Sequence, residues 1–317
     1  MRDFFHTGLN VSRSDLSGML SMGFPGQKFY VSRNVGTSGD GKSWAGAFKT
    51  IGEGIAALNL AATNDRWLSP GGRNTVLYID EGWYSETGLT LTASDCTIIA
   101  TGPGSNISDG TILYGSATQG GWDAGAVIPA LRITGSSVSV YGLGFMNSAS
   151  GLYPCVTIGT QGSSGPVNNK FENCFWPRDV ADAYTYAIED LSNEGTKISK
   201  CYFSQSAATA IIKIASNGVV NPVNTFIEDC KFLGGPTGVH QTAGHNTIIT
   251  RNIFMDTTDD RAETMDAPCN IAATSALMFN NIAMGTNIAG FNTGAAGTEI
   301  ANLCSDSHDD NWPAAGP

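Results

Sequence analysis

The stretch FIEDCKF, residues 226–232, puts two acids, a cysteine and a lysine into a short apolar run. Taken alone, Glu228 and Asp229 beside Cys230 suggest a metal or acid–base site. The rest of the chain gives another reading. FENCFW at 171–176, ISKCYF at 198–203 and IEDCKF at 227–232 align with ITRNIF at 249–254 and MFNNIA at 278–283. One aligned column reads Cys174, Cys201, Cys230, Asn252, Asn281, with spacings of 27, 29, 22 and 29 residues. Two positions later it reads Trp176, Phe203, Phe232, Phe254, Ala283. Looser copies stand earlier, SVYGLGF at 139–145 and SDCTIIA at 94–100. The stretch is therefore one rung of a ladder. Cys230 is expected to point inward between Cys201 and the asparagines. Asp229 and Lys231 are expected to flank it on the outside, because side chains alternate along a strand.

A second β-rich segment follows each copy: TYAIEDL, TAIIKIA, TGVHQTA, PCNIAAT and TNIAGFN. Gly, Asn and Ser turns separate the runs. Helical repeats share this period, but these copies are too short, too β-branched and too often broken by Asn and Gly. The sequence predicts a solenoid of parallel strands in which each coil contacts only its neighbours. Roughly seven coils stacked about 4.8 Å apart make a rod of about 30–35 Å.

On these residues the chain resembles the right-handed parallel β-helix, or pectate-lyase-like, superfamily. The stretches FYVSRNVGTSGDGKSWAGAFKTIGEGIAAL (29–58) and TVLYIDEGWYSETGLTLTASDCTIIATG (75–102) are similar to its N-terminal capping region. The resemblance implies an all-β, single-stranded right-handed parallel β-helix with an N-terminal capping helix. Phe48, Ile51, Ile55, Leu58 and Ala62 recur at helical spacing, as such a cap requires. The helix would cover the unpaired edge of the first coil, which is otherwise a template for aggregation. The chain divides into an N-terminal arm (1–28), a cap with the first coils (29–102), the β-helix (103–300) and a tail (301–317). Folds of this kind carry lyases, esterases, hydrolases, adhesins and phage spikes, so activity has to be argued from a site.

Composition narrows the classes. The formal charge is −11 with only 17 Lys and Arg among 317 residues, and these form no run. Nucleic-acid binding needs clustered basic residues, so it is not expected. No apolar stretch of about 18 residues occurs, so no membrane span is expected. Asp3, Arg13 and Asp15 interrupt the N-terminus, which reads as lacking a secretion signal. The seven cysteines contain no CxxC pair, and synthesis in a cytoplasm makes buried free thiols the expected state.

Two candidate sites emerge. The second segments place Glu189, Lys213 and His240 on successive coils, where they would project from one face as a glycan-facing stripe. The same alternation, with Asp190 and Gln241 as neighbours, also describes an ordinary solvated sheet face. The loop MDTTDDRAETMD (255–266) gathers Asp256, Asp259, Asp260 and Asp266, together with Glu263. Carboxylate oxygens of this kind suit calcium, the cofactor that lyases of the superfamily often use. The loop also reads as a plain acidic excursion of a solenoid surface. No other cofactor is expected. Arg178 and Arg251 are the candidate bases for an elimination, although neither sits in a motif that resembles the lyases. Trp67, Trp83, Tyr84, Trp122 and Trp176 are candidates for stacking on sugars. Trp176 shares the Phe column and is read as core, and alternation buries one of Trp83 and Tyr84.

Residues 1–28 match no part of the β-helix, yet Phe4, Phe5, Leu9 and Leu16 make them too apolar for a solvated tail. They read as an arm that docks on another protein, or one that folds back over this chain's own cap. A β-helix with such an arm and no signal resembles proteins of tailed-phage particles. That resemblance implies a virion protein made in a host cytoplasm: non-catalytic, displayed on the particle exterior as a capsid decoration or spike. It implies attachment to other virion proteins through residues 1–28, contact with surface polysaccharide, and a homotrimer. The departure is at the other end, where only ANLCSDSHDDNWPAAGP follows the last coil, in place of the large C-terminal domain usual in spikes. The competing expectation is a polysaccharide lyase or glycoside hydrolase of the same fold.

Overall fold

The computed structural model describes residues 26–64, 74–101, 110–115, 129–147, 154–177, 185–204, 209–255, 265, 267–272, 275–285, 288 and 290–306. Strands form three all-parallel sheets. Sheet A has ten strands, from Lys28–Val31 to Thr298–Ile300; sheet B has nine, from Gly82–Ser85 to Leu303–Asp306; sheet C has seven, from Leu89–Leu91 to Ala267–Ile271. The chain runs from A to B to C and back to A, each strand pairing in parallel with its equivalent one coil on. This is the right-handed parallel β-helix. Ten strands at about 4.8 Å span about 43 Å, longer than the rod read from the repeats. The ladder also extends past residue 300, because Leu303–Asp306 pairs with Ile282–Gly285 in sheet B.

The corners explain the punctuation in the sequence. One residue in the left-handed region turns the chain from sheet A into sheet B: Gly142, Asn173, Lys200, Asp229, Arg251, Asn280 and Ala301 on successive coils, all with φ between 51 and 68°. A second such column enters sheet A, at Asn74, Asp95, Ser137, Asn168, Asn224 and Asn246. Asn, Asp and Gly tolerate this conformation best, so they mark both corners. Asp229 does lie on the outside, as expected. The reason is the left-handed bend at φ 56° rather than simple strand alternation.

Inside the A–B corner the aligned column is continuous and buried. The thiol of Cys201 reaches the Ser199 carbonyl at 3.3 Å, and that of Cys230 reaches the Glu228 carbonyl at 3.3 Å. From Asn252 onward the column becomes an amide ladder. The backbone N of Cys230 donates to Asn252 Oδ1 at 2.9 Å, that of Asn252 to Asn281 Oδ1 at 2.9 Å, and that of Asn281 to Asn302 Oδ1 at 3.1 Å. Each amide nitrogen also donates across the corner, Asn252 to the Ile227 carbonyl and Asn281 to the Ile249 carbonyl, both at 2.9 Å. Buried amides need such partners. All seven cysteines are free thiols, six of them buried.

Sheet B supplies the aromatic column. Ring centroids step from Phe145 to Trp176 (5.0 Å), Phe203 (4.6 Å), Phe232 (4.9 Å) and Phe254 (4.5 Å), all stacked. The next rung is Ala283, and Phe291 fills the space by packing its ring edge-on to Phe254 at 5.5 Å. Trp176 is thus core, as read. Tyr84 is buried and Trp83 is 38% exposed, which is the alternation expected of that pair.

The capping helix spans Ile51–Asn64. It opens with a reciprocal box. Glu53 N donates to Thr50 Oγ1 at 3.2 Å, and Thr50 N donates to Glu53 Oε2 at 3.1 Å. Glu86, from the first sheet B strand's exit, accepts the backbone N–H groups of Ile51 and Gly52, each at 2.7 Å. Ile51, Ile55 and Leu58 pack into the same core as Val31, Leu77 and Leu91, closing the first coil. Phe48 lies just before the helix, bridged to Val31, and Ala62 is partly buried against the core.

Candidate functional site

Sheet C carries Glu189, Lys213 and His240, the stripe expected from the sequence to face a glycan. Its strands are three to five residues long, with their apolar side chains inward. Ile188 and Asp190, Ile212 and Ile214, and Val239 and Gln241 point into the core, so Glu189, Lys213 and His240 must face out. The register places them directly one above another, Glu189 against Lys213 and Lys213 against His240. The column is longer than the sequence reading found. Thr90, Arg132 and Thr157 precede Glu189, and Asn270 follows His240. Loops of unequal length hid them: 25 residues separate Arg132 from Thr157, and 32 separate Thr157 from Glu189. The two neighbours mentioned with the stripe, Asp190 and Gln241, are interior groups and take no part in it.

The centre of the column is electrostatically organised. Lys213 Nζ lies 3.3 Å from Glu189 Oε1 and 4.6 Å above the ring of Tyr186, the residue two positions before the strand. Partial burial pushes the lysine's pKa down, but Glu189 and Tyr186 outweigh it and hold the ammonium above its ordinary value. His240 is shifted the other way. Burial comes first and the neighbouring Lys213 charge second, and both lower its pKa and favour the neutral imidazole. Thr157 is 4% exposed, and its Oγ1 has no hydrogen-bond partner. The face therefore offers the Lys213 cation, the His240 imidazole, the Thr90 hydroxyl and the Asn270 amide on coils about 4.8 Å apart, while the Thr157 hydroxyl is buried. Such an array can hydrogen-bond a chain of hydroxyl-bearing units laid along the rod.

Arg251 is not part of this face. It occupies the A–B corner, where its guanidinium clamps Asp229 through two 2.8 Å bonds and reaches Glu228 at 3.2 Å. Its hydrogen bonds to Asp229 first, and to Glu228 after it, raise its pKa further and hold the guanidinium in its charged form. Glu228 and Asp229, which first suggested chemistry, belong to an ion-pair ladder on the outside of sheet A that also holds Lys170, Glu172, Lys197 and Lys200. Asp256, Asp259, Asp260 and Asp266 lie outside the described residues, as do Phe4, Phe5, Leu9, Leu16, Arg178, Trp67 and Trp122. Among the described residues no group of three or more His, Cys, Asp or Glu side chains could hold a metal ion, and no helix is long and apolar enough to cross a membrane.

No family model matches the chain, and no curated protein matches it in sequence. Solved structures do match. An alginate lyase from Paenibacillus sp. str. FPU-7 superposes with a TM-score of 0.51 at 14% identity, over 79% of this chain and 93% of that one. A pectin methylesterase gives a TM-score of 0.48 at 13% identity, over 80% and 78% of the two chains. ORF18 of Geobacillus virus E2 gives 0.38 at 12% identity, over 91% and 63%. At these identities the likeness is one of fold. The class is the right-handed parallel β-helix, and the pectate-lyase-like resemblance read from the repeats holds at that level.

Proposed function

We propose that this protein is a glycan-binding β-helix displayed on the exterior of a phage particle, held there through residues 1–28 and acting without catalysis. The carrying observation is the outward column of sheet C, in which Lys213 is fixed between Glu189 and Tyr186 with His240 one rung on. The apolar arm supports the attachment, since a segment carrying Phe4, Phe5, Leu9 and Leu16 needs a surface to cover it. The test is a binding screen on a panel of bacterial surface polysaccharides with wild type and Lys213→Ala. Loss of the lysine should weaken the best ligand about tenfold or more. Equal binding by both proteins, or no binding at all, overturns the glycan assignment. Deleting residues 1–28 should abolish attachment to particles, and retained attachment overturns the arm's role.

One observation favours a second reading, a polysaccharide lyase or glycoside hydrolase. A neutral imidazole beside a cation is a workable proton acceptor, and His240 with Lys213 has that form. Incubation with polyuronates, followed by absorbance of unsaturated ends and by reducing sugar, with and without calcium, separates the readings. Turnover lost in His240→Ala establishes the enzyme; a flat baseline across the panel removes it.

A further inference from the structure

The corner where sheet C turns back into sheet A has a polar interior of its own. On one coil that interior is satisfied. Asp190 is fully buried; one carboxylate oxygen accepts the Ser192 N–H at 3.0 Å and the Thr196 hydroxyl at 3.3 Å, and the other accepts the Thr225 hydroxyl at 3.2 Å. Ser192 and Thr196 follow the aspartate by two and six residues, and Thr225 holds the position of Thr196 one coil on. Two coils further along, Gln241 stands in the place of Asp190 in the inward column of sheet C. The turn after it has the same length: Glu194, Val223 and His245 pair as successive bridges, and the left-handed residue before sheet A is Gly195 on the first coil and Asn246 on the second. The equivalent residues can therefore be matched one to one. Ala243 replaces Ser192, Thr247 replaces Thr196 and Ala276 replaces Thr225. Two of the three hydroxyls in the Asp190 corner are thus missing around Gln241.

Gln241 is fully buried too, yet neither its Oε1 nor its Nε2 meets a hydrogen-bond partner among the described residues, and neither does the buried Oγ1 of Thr247. A buried amide without partners is costly. The Gln241 amide ends close beneath the turn, since a Cβ on Gly244 would stand 3.4 Å from its Nε2, and the residues of that turn on either side of Ala243 include the exposed Thr242. We propose that this corner is a binding site for internal water, held between the Gln241 amide and the Thr247 hydroxyl where side-chain hydroxyls serve Asp190 two coils earlier. Water both donates and accepts, so it can serve Oε1, Nε2 and Thr247 Oγ1 together, the number of partners usual for a buried water. An apolar guest would leave all three atoms unmatched. A cation lacks a counter-charge here, because the column neighbours of Gln241 are Ile214 and Ile271. The site stands apart from the glycan assignment, since Gln241 faces the core and His240 faces out.

Oxygen-17 magnetic relaxation dispersion of the solvent tests it on the full chain, because the method counts water molecules that stay inside a protein while it tumbles. Wild type is compared with Gln241→Met, which keeps the length of the side chain and removes both polar atoms. The expected result is a folded variant, judged by an unchanged circular dichroism spectrum, that has lost about one long-lived water relative to wild type. A folded variant that keeps the wild-type dispersion overturns the proposal. A urea midpoint raised at the same time would identify the amide as dry and unmatched, since removing such a group stabilises. Should the variant not fold, a high-resolution crystal structure of the wild type decides. An ordered water within about 3.2 Å of the Gln241 amide and Thr247 Oγ1 supports the site. An empty corner, or an ion at the shorter distances of metal ligation, overturns it.

Discussion

Replacing Asn281 with alanine would test whether the corner ladder holds the solenoid together or merely fills space. Asn281 is fully buried. Its Oδ1 accepts the backbone N–H of Asn252 at 2.9 Å and the Asn252 side-chain amide at 3.0 Å; its Nδ2 donates to the Ile249 carbonyl and to Asn302 Oδ1, each at 2.9 Å. Alanine removes all four. The side-chain amide of Asn252 keeps the Ile227 carbonyl, and Asn302 Oδ1 keeps the backbone N–H of Asn281. The backbone N–H of Asn252 loses its acceptor and the Ile249 carbonyl loses this donor, both in the interior. At about 1–3 kcal/mol for each buried group left unmatched, and with a small cavity added, the expected loss is about 3–5 kcal/mol. Cys201→Ala is the comparison one region upstream. It removes a weak thiol donor to the Ser199 carbonyl and little volume, so it should cost about 1 kcal/mol. Urea denaturation followed by circular dichroism measures both, read as a shift of midpoint at constant slope. If Asn281→Ala costs no more than Cys201→Ala, the column is packing alone and the hydrogen-bond argument fails.

Two further outcomes follow from the interior. Phe232 sits between Phe203 and Phe254 at 4.9 and 4.5 Å, so Phe232→Ala should cost about 3–5 kcal/mol in the same denaturation assay, and Phe232→Leu distinctly less; equal costs would argue against stacking. Asp190 is fully buried, and burial raises its pKa despite hydrogen bonds from Ser192, Thr196 and Thr225. A folded-state pKa above the unfolded value of about 3.9 means that its contribution is fully present below that pH and is lost as pH rises through the folded value. Wild type should therefore gain stability relative to Asp190→Asn as pH falls from 7 toward 4, and a pH-independent difference between the two urea midpoints would contradict the assignment.

FIEDCKF shows how much could be read in advance. Its period, its inward cysteine and phenylalanine, and the cap helix built on Ile51, Ile55 and Leu58 were all legible, because interior columns of a solenoid keep similar residues from coil to coil and the corners favour Asn, Asp or Gly, with Ser137, Lys200, Arg251 and Ala301 as exceptions. The outward column of sheet C was legible only at Glu189, Lys213 and His240. Arg132, Thr157 and Asn270 share that face, but outward positions repeat no residue type, and the loops before them differ in length, so no spacing announced them. Asp190 and Gln241, the neighbours of Glu189 and His240 in the chain, point into the core, as alternation along a strand requires.

The amino-acid order alone thus determined the parallel β-helix, since local propensity, turn chemistry and the repeated core all specify the same coil. Only the tertiary structure decided what the outside does. Lateral pairing between coils brings Lys213 onto Glu189 and Tyr186, ties Arg251 to Asp229, and gathers Phe226, Ile282, Met284, Ile300 and Leu303 into one corner. Lys213 and Glu189, Lys213 and Tyr186, Arg251 and Asp229, and Ile282 and Leu303 stand 21 to 27 residues apart in the chain. Their contact is set by the register of the sheets, which chain order does not display.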